Sequence, residues 1–100
     1  MKKLQGKFAL ITGSSKGIGA GVAQSFAKEG ASVAINFPDA TEELNAIELS
    51  EKLISYGVDA FPVCADVSKE SEVKKLVETV MNKFKRIDIL VNNAGIAPGM

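Results

Sequence analysis

Apolar residues along this chain switch repeatedly between two spacings. Four short runs are apolar on nearly every residue: 7–12, centred on Phe8, Ala9, Leu10 and Ile11; 32–37; 60–65; and Ile87-Asp88-Ile89-Leu90-Val91. Between them the apolar positions recur every three to four residues. Ile18, Val22 and Phe26, with Ala23 and Ala27, make one stripe over 17–29. Ala46, Ile47, Ser50, Leu53 and Ile54 make a second face, and Val73, Leu76, Val77, Val80, Met81 and Phe84 a third. A run without polar alternation fits a strand covered on both faces, and a stripe at helical spacing fits a helix lying on a sheet. The pattern predicts strict alternation, β-α-β-α-β-α-β.

Polar and special residues punctuate these elements. Gly30 suits the left-handed residue after helix one. Asp39 with Glu42 has the spacing of a capping box for helix two, which Gly57 ends. Ser68 is placed to cap helix three. Glu70 and Glu72 in its first turn, and Lys83, Lys85 and Arg86 at its end, complement the helix dipole. Pro62 cannot donate a ladder hydrogen bond, which puts strand three at a sheet edge. With right-handed crossovers, the expected fold is α/β: a Rossmann-type doubly wound parallel sheet of four strands and three helices, in the order 3-2-1-4. The turn after strand one and the loop after strand four then meet at the topological switch point, where open α/β sheets bind ligands.

The turn after strand one reads Thr12-Gly13-Ser14-Ser15-Lys16-Gly17-Ile18-Gly19. A helix N-terminus offers unpaired N–H groups and a favourable dipole to a phosphate. A side chain at the point of closest approach would hold the ligand off, so Gly belongs there. Gly13 would turn the chain out of the strand, and Gly17 and Gly19 would let the helix begin against a pyrophosphate. A glycine turn with no ligand is the alternative. Strand four runs into Asn92-Asn93-Ala94-Gly95, whose short amides can brace a loop and whose small residues leave room beside the chain. Asp66-Val67 follows strand three, where Asp66 also suits a helix N-terminus by its charge.

The Gly-x-x-x-Gly-x-Gly turn, the Asn-Asn-Ala-Gly loop and Asp66 together resemble the short-chain dehydrogenase/reductase family. The resemblance covers the whole chain but only the cofactor half of the family. It implies pyrophosphate binding by the backbone from Gly13 to Gly19, with Ile18 near the nicotinamide side. It also implies adenine contacts at Asp66 and Val67, and ribose and nicotinamide contacts at Asn93, Ala94 and Gly95. NADP-preferring members carry Lys or Arg just before the second glycine, where this chain has Lys16, and Ser15 beside it can add a hydrogen bond. The position of the ribose carboxylate of NAD-binding members is taken by Phe37. The expected cofactor is therefore NADP(H) in preference to NAD(H). Asp39 is the counter-indication, standing about twenty residues past the glycine turn.

Within the family the chain looks most like the 3-oxoacyl-[acyl carrier protein] reductases. The carriers are Leu4-x-Gly6-Lys7, Asn36 with an aromatic neighbour, and Ile89-Leu90-Val91 before the Asn pair. Glucose-type sugar dehydrogenases share much of this. Lys85 replaces the Gly usual before Arg-Ile-Asp, and Pro38 stands where relatives often have a polar or basic residue. The family's catalytic Ser, Tyr and Lys lie downstream of Asn-Asn-Ala-Gly. The one Tyr here, Tyr56, is followed four residues later by Ala60 and not Lys, so no catalytic residue is assigned. Residues 1–100 are expected to be the N-terminal part of a single dinucleotide-binding domain, with strand four an exposed apolar edge. The implied partner is a small carbonyl substrate, in one form borne by acyl carrier protein, and the implied full-length assembly is a homotetramer. A nucleotide-binding module without catalysis and an empty scaffold are the competing classes.

Composition narrows this further. Among 100 residues, 46% are hydrophobic, and twelve basic residues balance twelve acidic ones. That balance gives no electrostatic case for nucleic acid or an anionic membrane. The chain has no His, which removes His-based acid–base chemistry and most zinc sites. Its single Cys64 excludes an intrachain disulfide and is expected as a small buried hydrophobe. Lys2 and Lys3 precede an apolar stretch too short for a signal peptide, and no run approaches a membrane span. A cytoplasmic location is expected.

Overall fold

A computed structural model describes residues 2–93. In chain order they form β1 (Phe8–Ile11), α1 (Gly17–Lys28), β2 (Ser32–Phe37), a 3-10 turn (Ala40–Glu42), α2 (Glu43–Ile54), β3 (Ala60–Cys64), α3 (Glu70–Phe84) and β4 (Ile89–Val91). Every strand pair is parallel, and the sheet order is β3-β2-β1-β4. Both expected features hold, and Pro62 lies on the edge strand, opposite Ile35 of β2.

Successive residues of the central strands feed opposite faces of the sheet. Ile11, Val33, Ile35 and Phe37 pack with Ala23 and Ala27 of α1 and with Ala46, Leu49 and Leu53 of α2. Leu10 and Ala34 pack on the other face with Leu76, Val80 and Phe84 of α3. This two-sided burial is why β1 and β2 lack alternation. Fully burying one such aliphatic side chain contributes roughly 1.5–3 kcal/mol. At the other end of β1, the Asp88 carboxylate accepts a hydrogen bond from Phe8 N–H at 2.8 Å, and Arg86 Nε in turn donates to Asp88.

Several local expectations are corrected. The buried face of α2 is Ala46, Leu49, Ser50 and Leu53, whereas Ile47 and Ile54 are exposed. Each isoleucine is one residue, or 100°, past a buried position and falls on the flank. On α3, Leu76, Val80 and Phe84 are buried, but Val77 and Met81 are exposed, Val77 in a groove shared with Leu90 of β4. Ile18 is 79% exposed, because the first turn of α1 has no sheet residue beneath it. Cys64 is exposed, not buried, since it ends the edge strand. Ser68 does not cap α3: its N–H and hydroxyl both go to Asp66 Oδ1, and Lys69 takes the cap position without a side-chain bond.

Candidate functional site

The C-terminal ends of β1, β2 and β3 open into a cleft of about 420 Å³ lined by Gly13, Asn36, Pro38, Ala65, Asp66, Val67 and Ser68. Gly13 brings the glycine turn to its edge. Gly13 and Gly17 have φ of +60° and +63°, the left-handed region where a side chain is strained. A Cβ on Gly19 would collide with the Gly13 carbonyl oxygen and lie 2.7 Å from Asn93 Nδ2. Gly19 is thus required for the start of α1 to press against the turn. Lys16 takes the N-cap of α1 and makes no side-chain cap bond. The first-turn N–H groups, which no helix can satisfy internally, are left uncapped by it. Such a turn fits a pyrophosphate, which needs close backbone donors and no intervening Cβ.

Two amide-bearing residues fix this turn. Asn36, 1% exposed in β2, accepts from Gly13 N–H at 3.0 Å and donates through Nδ2 to the carbonyls of Ala65 and Val63 at 3.1 and 3.3 Å. Its own N–H donates to Ser14 Oγ, whose hydroxyl donates to the Ile11 carbonyl at 2.7 Å. Asn36 therefore ties the ends of β2 and β3 to the turn after β1. In the sequence Asn36 counts only toward the likeness to the reductases, since nothing local shows that its amide reaches both neighbours. Asn93 is the second: Nδ2 donates to the Gly13 carbonyl at 3.0 Å. Thr12 N–H donates to the Val91 carbonyl, and Thr12 Oγ1 lies 3.3 Å from Asn92 Oδ1. The glycine turn and the loop after β4 do meet, as the topology requires.

The other predicted positions separate. Asp66 and Val67 line the cleft. Asp66 Oδ1 accepts from the Ser68 hydroxyl and N–H, and these bonds hold its carboxyl below the usual range. Its N–H donates to Glu72 at 2.7 Å, so Asp66 begins the turn into α3 and borders the cleft at once. Phe37 is turned away: its ring is buried in the α1–α2 core, and Pro38 forms the wall there. Alternation along β2, with Asn36 facing the cleft, forces this. Ala94 and Gly95 lie outside the described residues.

The pair Ser15 and Lys16 is not free. Lys16 Nζ stands 3.0 Å from Glu42 Oε2, and Ser15 Oγ donates to Glu42 Oε1 at 3.3 Å. Asn45 Nδ2 donates to the same Oε1 at 3.0 Å. The Asn45 and Lys16 contacts lower the Glu42 carboxyl below its usual value. The expected capping box is corrected accordingly. Asp39 does cap, but it caps the 3-10 turn through Thr41, and Glu42 points to the glycine turn instead. Tyr56 packs against the α1–α2 core at the end of α2, where Lys28 Nζ sits 5.9 Å from its ring.

A parallel 3-2-1-4 sheet with a glycine turn at its switch point defines a Rossmann-type α/β protein. The short chain dehydrogenase family model matches residues 7–100, and the chain belongs to that family. It is 44% identical over 96 residues to an uncharacterized oxidoreductase of Methylorubrum extorquens, covering 96% of this chain and 38% of that protein. It is 41% identical over 90 residues to a 3-oxoacyl-[acyl-carrier-protein] reductase of Staphylococcus epidermidis, covering 90% of this chain and 36% of that protein. A short chain dehydrogenase of Burkholderia cenocepacia in complex with NADP superimposes with a TM-score of 0.86 at 41% identity, over 94% of this chain and 38% of that one. An NAD+-bound xylitol dehydrogenase superimposes equally well, with a TM-score of 0.86 at 33% identity, over 95% of this chain and 35% of that one. The chain spans a little over a third of the length of these relatives. No helix among the described residues is long and apolar enough to cross a membrane.

Proposed function

We propose that this chain is the cofactor-holding part of an NADP(H)-dependent short-chain oxidoreductase acting on a carbonyl or alcohol substrate. The observation that carries the reading is the junction of three elements. The first turn of α1 is uncapped, Gly19 has no room for a Cβ, and Asn93 bonds the Gly13 carbonyl, all at the C-terminal ends of β1 and β4. When bound, the nicotinamide supplies or accepts the hydride. The chain's own residues bind and orient. The turn from Gly13 to Gly19 holds the pyrophosphate through the backbone N–H groups of its later residues, those of Gly13 and Ser14 being bonded to Asn36, and Ile18 borders its nicotinamide side. Ser15 and Lys16 receive the 2′-phosphate, and Phe37 leaves no carboxylate at the end of β2 to favour a free ribose hydroxyl. Asp66 and Val67 border the adenine. Asn93, Ala94 and Gly95 border the adenosine ribose and support the nicotinamide end.

The proposed substrate class is a 3-oxoacyl thioester, presented on acyl carrier protein and met by a cytoplasmic homotetramer. Support comes from Leu4-x-Gly6-Lys7, Asn36-Phe37 and Ile89-Leu90-Val91, together with the likeness to the staphylococcal reductase. Residues that activate the carbonyl are not among those described, so catalysis is proposed for the natural full-length protein. The test is turnover by that protein, with acetoacetyl thioester plus NADPH compared with glucose plus NADP+. Oxidation of NADPH by the thioester is expected. Glucose oxidation alone would move the assignment to the sugar dehydrogenases, and tight NADPH binding with neither turnover would make this a non-catalytic nucleotide module.

A further inference from the structure

We infer that Glu42 sets cofactor selectivity: its carboxylate competes with the cofactor's 2′-phosphate for the Ser15 hydroxyl and the Lys16 ammonium. The inference rests on the reading of Ser15 and Lys16 as 2′-phosphate ligands. Glu42 Oε2 takes Lys16 at 3.0 Å, and Oε1 takes Ser15 at 3.3 Å. One anionic group thereby bridges a hydroxyl and an ammonium, which is the arrangement a phosphate monoester needs. Asn45 steadies the carboxylate from the first turn of α2 at 3.0 Å. The Glu42 side chain is 13% exposed against 72% for Lys16, so the lysine extends outward to an anchored acid.

An incoming 2′-phosphate meets Glu42 in one of two ways. Either the carboxylate gives up both partners and turns toward solvent, or it stays and repels the phosphate at close range. Each weakens NADPH binding. Neither touches NADH, whose ribose 2′-hydroxyl is neutral. Glu42 thus narrows a preference that Lys16 alone would make wide. Asp39 makes no ion pair with Lys16, and its Oδ1 instead takes the Thr41 N–H and hydroxyl.

The test is calorimetric titration of the natural full-length protein and its Glu42→Gln variant with NADPH and with NADH. Gln keeps the shape and can still accept from Asn45, but carries no charge. Glu42→Gln should tighten NADPH about three- to tenfold and leave NADH within about twofold, on the scale of an exposed ion pair plus relieved repulsion. In a Lys16→Gln background the gain should shrink, because the contested partner is gone. Weaker NADH with unchanged NADPH would overturn the inference and make Glu42 a ribose ligand. Wild-type protein that binds NADPH with the same affinity as Glu42→Gln would overturn it while leaving the cofactor reading intact. No NADPH binding by either form would overturn both.

Discussion

Lys85 holds a backbone conformation better suited to glycine. It follows α3 with φ of +72°, and its N–H closes the helix on the Met81 carbonyl at 2.8 Å. A side chain in that region costs about 1 kcal/mol relative to Gly. Lys85→Gly is therefore expected to raise stability by up to about 1 kcal/mol, read as a higher urea midpoint with unchanged m-value. An unchanged midpoint would mean that the turn relaxes freely. Asn36 is the opposite case, a residue with no substitute. Asn36→Leu would strand the Gly13 N–H and the Ala65 and Val63 carbonyls. Leaving a buried partner unpaired costs about 1–3 kcal/mol, and the loss should appear both in stability and in NADPH affinity. Asn36 shows how a residue can be visible in the sequence while its role is not, because all three partners lie more than twenty positions away.

At the level of elements, two of the three glycines of α1, Gly19 and Gly21, are opposite in character. A Cβ on Gly19 meets backbone of Gly13 and Ser14, while one on Gly21 meets nothing within 4 Å. Gly19→Ala should lower NADPH affinity by more than about tenfold, since the first turn of the helix would have to retreat from the phosphates. Gly21→Ala should leave affinity alone and add about 0.5–1 kcal/mol of stability by restricting the unfolded chain. Equal effects of the two would contradict the close approach at Gly19. The elements themselves were largely legible. β2 was expected over 32–37 and forms over those residues, because its apolar run is long and sharply bounded. Pro62 located the sheet edge. Helix faces were less legible: spacing alone counted Ile18, Ile47 and Ile54 as buried, but burial also needs a neighbour above that point of the helix.

At the scale of the whole molecule, charge and topology set the behaviour. Among the described residues four carboxyls are held below their usual pKa: Asp39 chiefly by the Thr41 hydroxyl, Glu42 by the Asn45 amide, Asp66 by the Ser68 hydroxyl and Asp88 by Arg86. A depressed folded-state pKa contributes stability that is complete above the unfolded value, about 3.9 for Asp and 4.3 for Glu, and is lost as pH falls through the folded value. The melting temperature should be level down to about pH 5 and fall below about pH 4. A melting temperature that rose on acidification below that point would contradict the four assignments. Beside α3, Leu90 of β4 is 63% exposed over an apolar groove of about 260 Å³ that also includes Val77 and Leu10. The glycine cradle and the loop after β4 could be placed from sequence because local motifs sit on elements whose order the topology fixes. The Glu42 contacts could not: a local capping pattern explained the same residue, and only the fold brings it to Ser15 and Lys16.

We propose that the turn from Gly13 to Gly19 holds NADP(H), with Lys16 reading the 2′-phosphate. The most direct measurement is the pair of dissociation constants for NADPH and NADH, in wild-type protein and in Lys16→Ala. NADPH is expected to bind more tightly than NADH, and Lys16→Ala is expected to erase most of that difference by weakening NADPH alone. Equal or tighter binding of NADH by the wild type, or an NADPH affinity untouched by Lys16→Ala, would contradict the account.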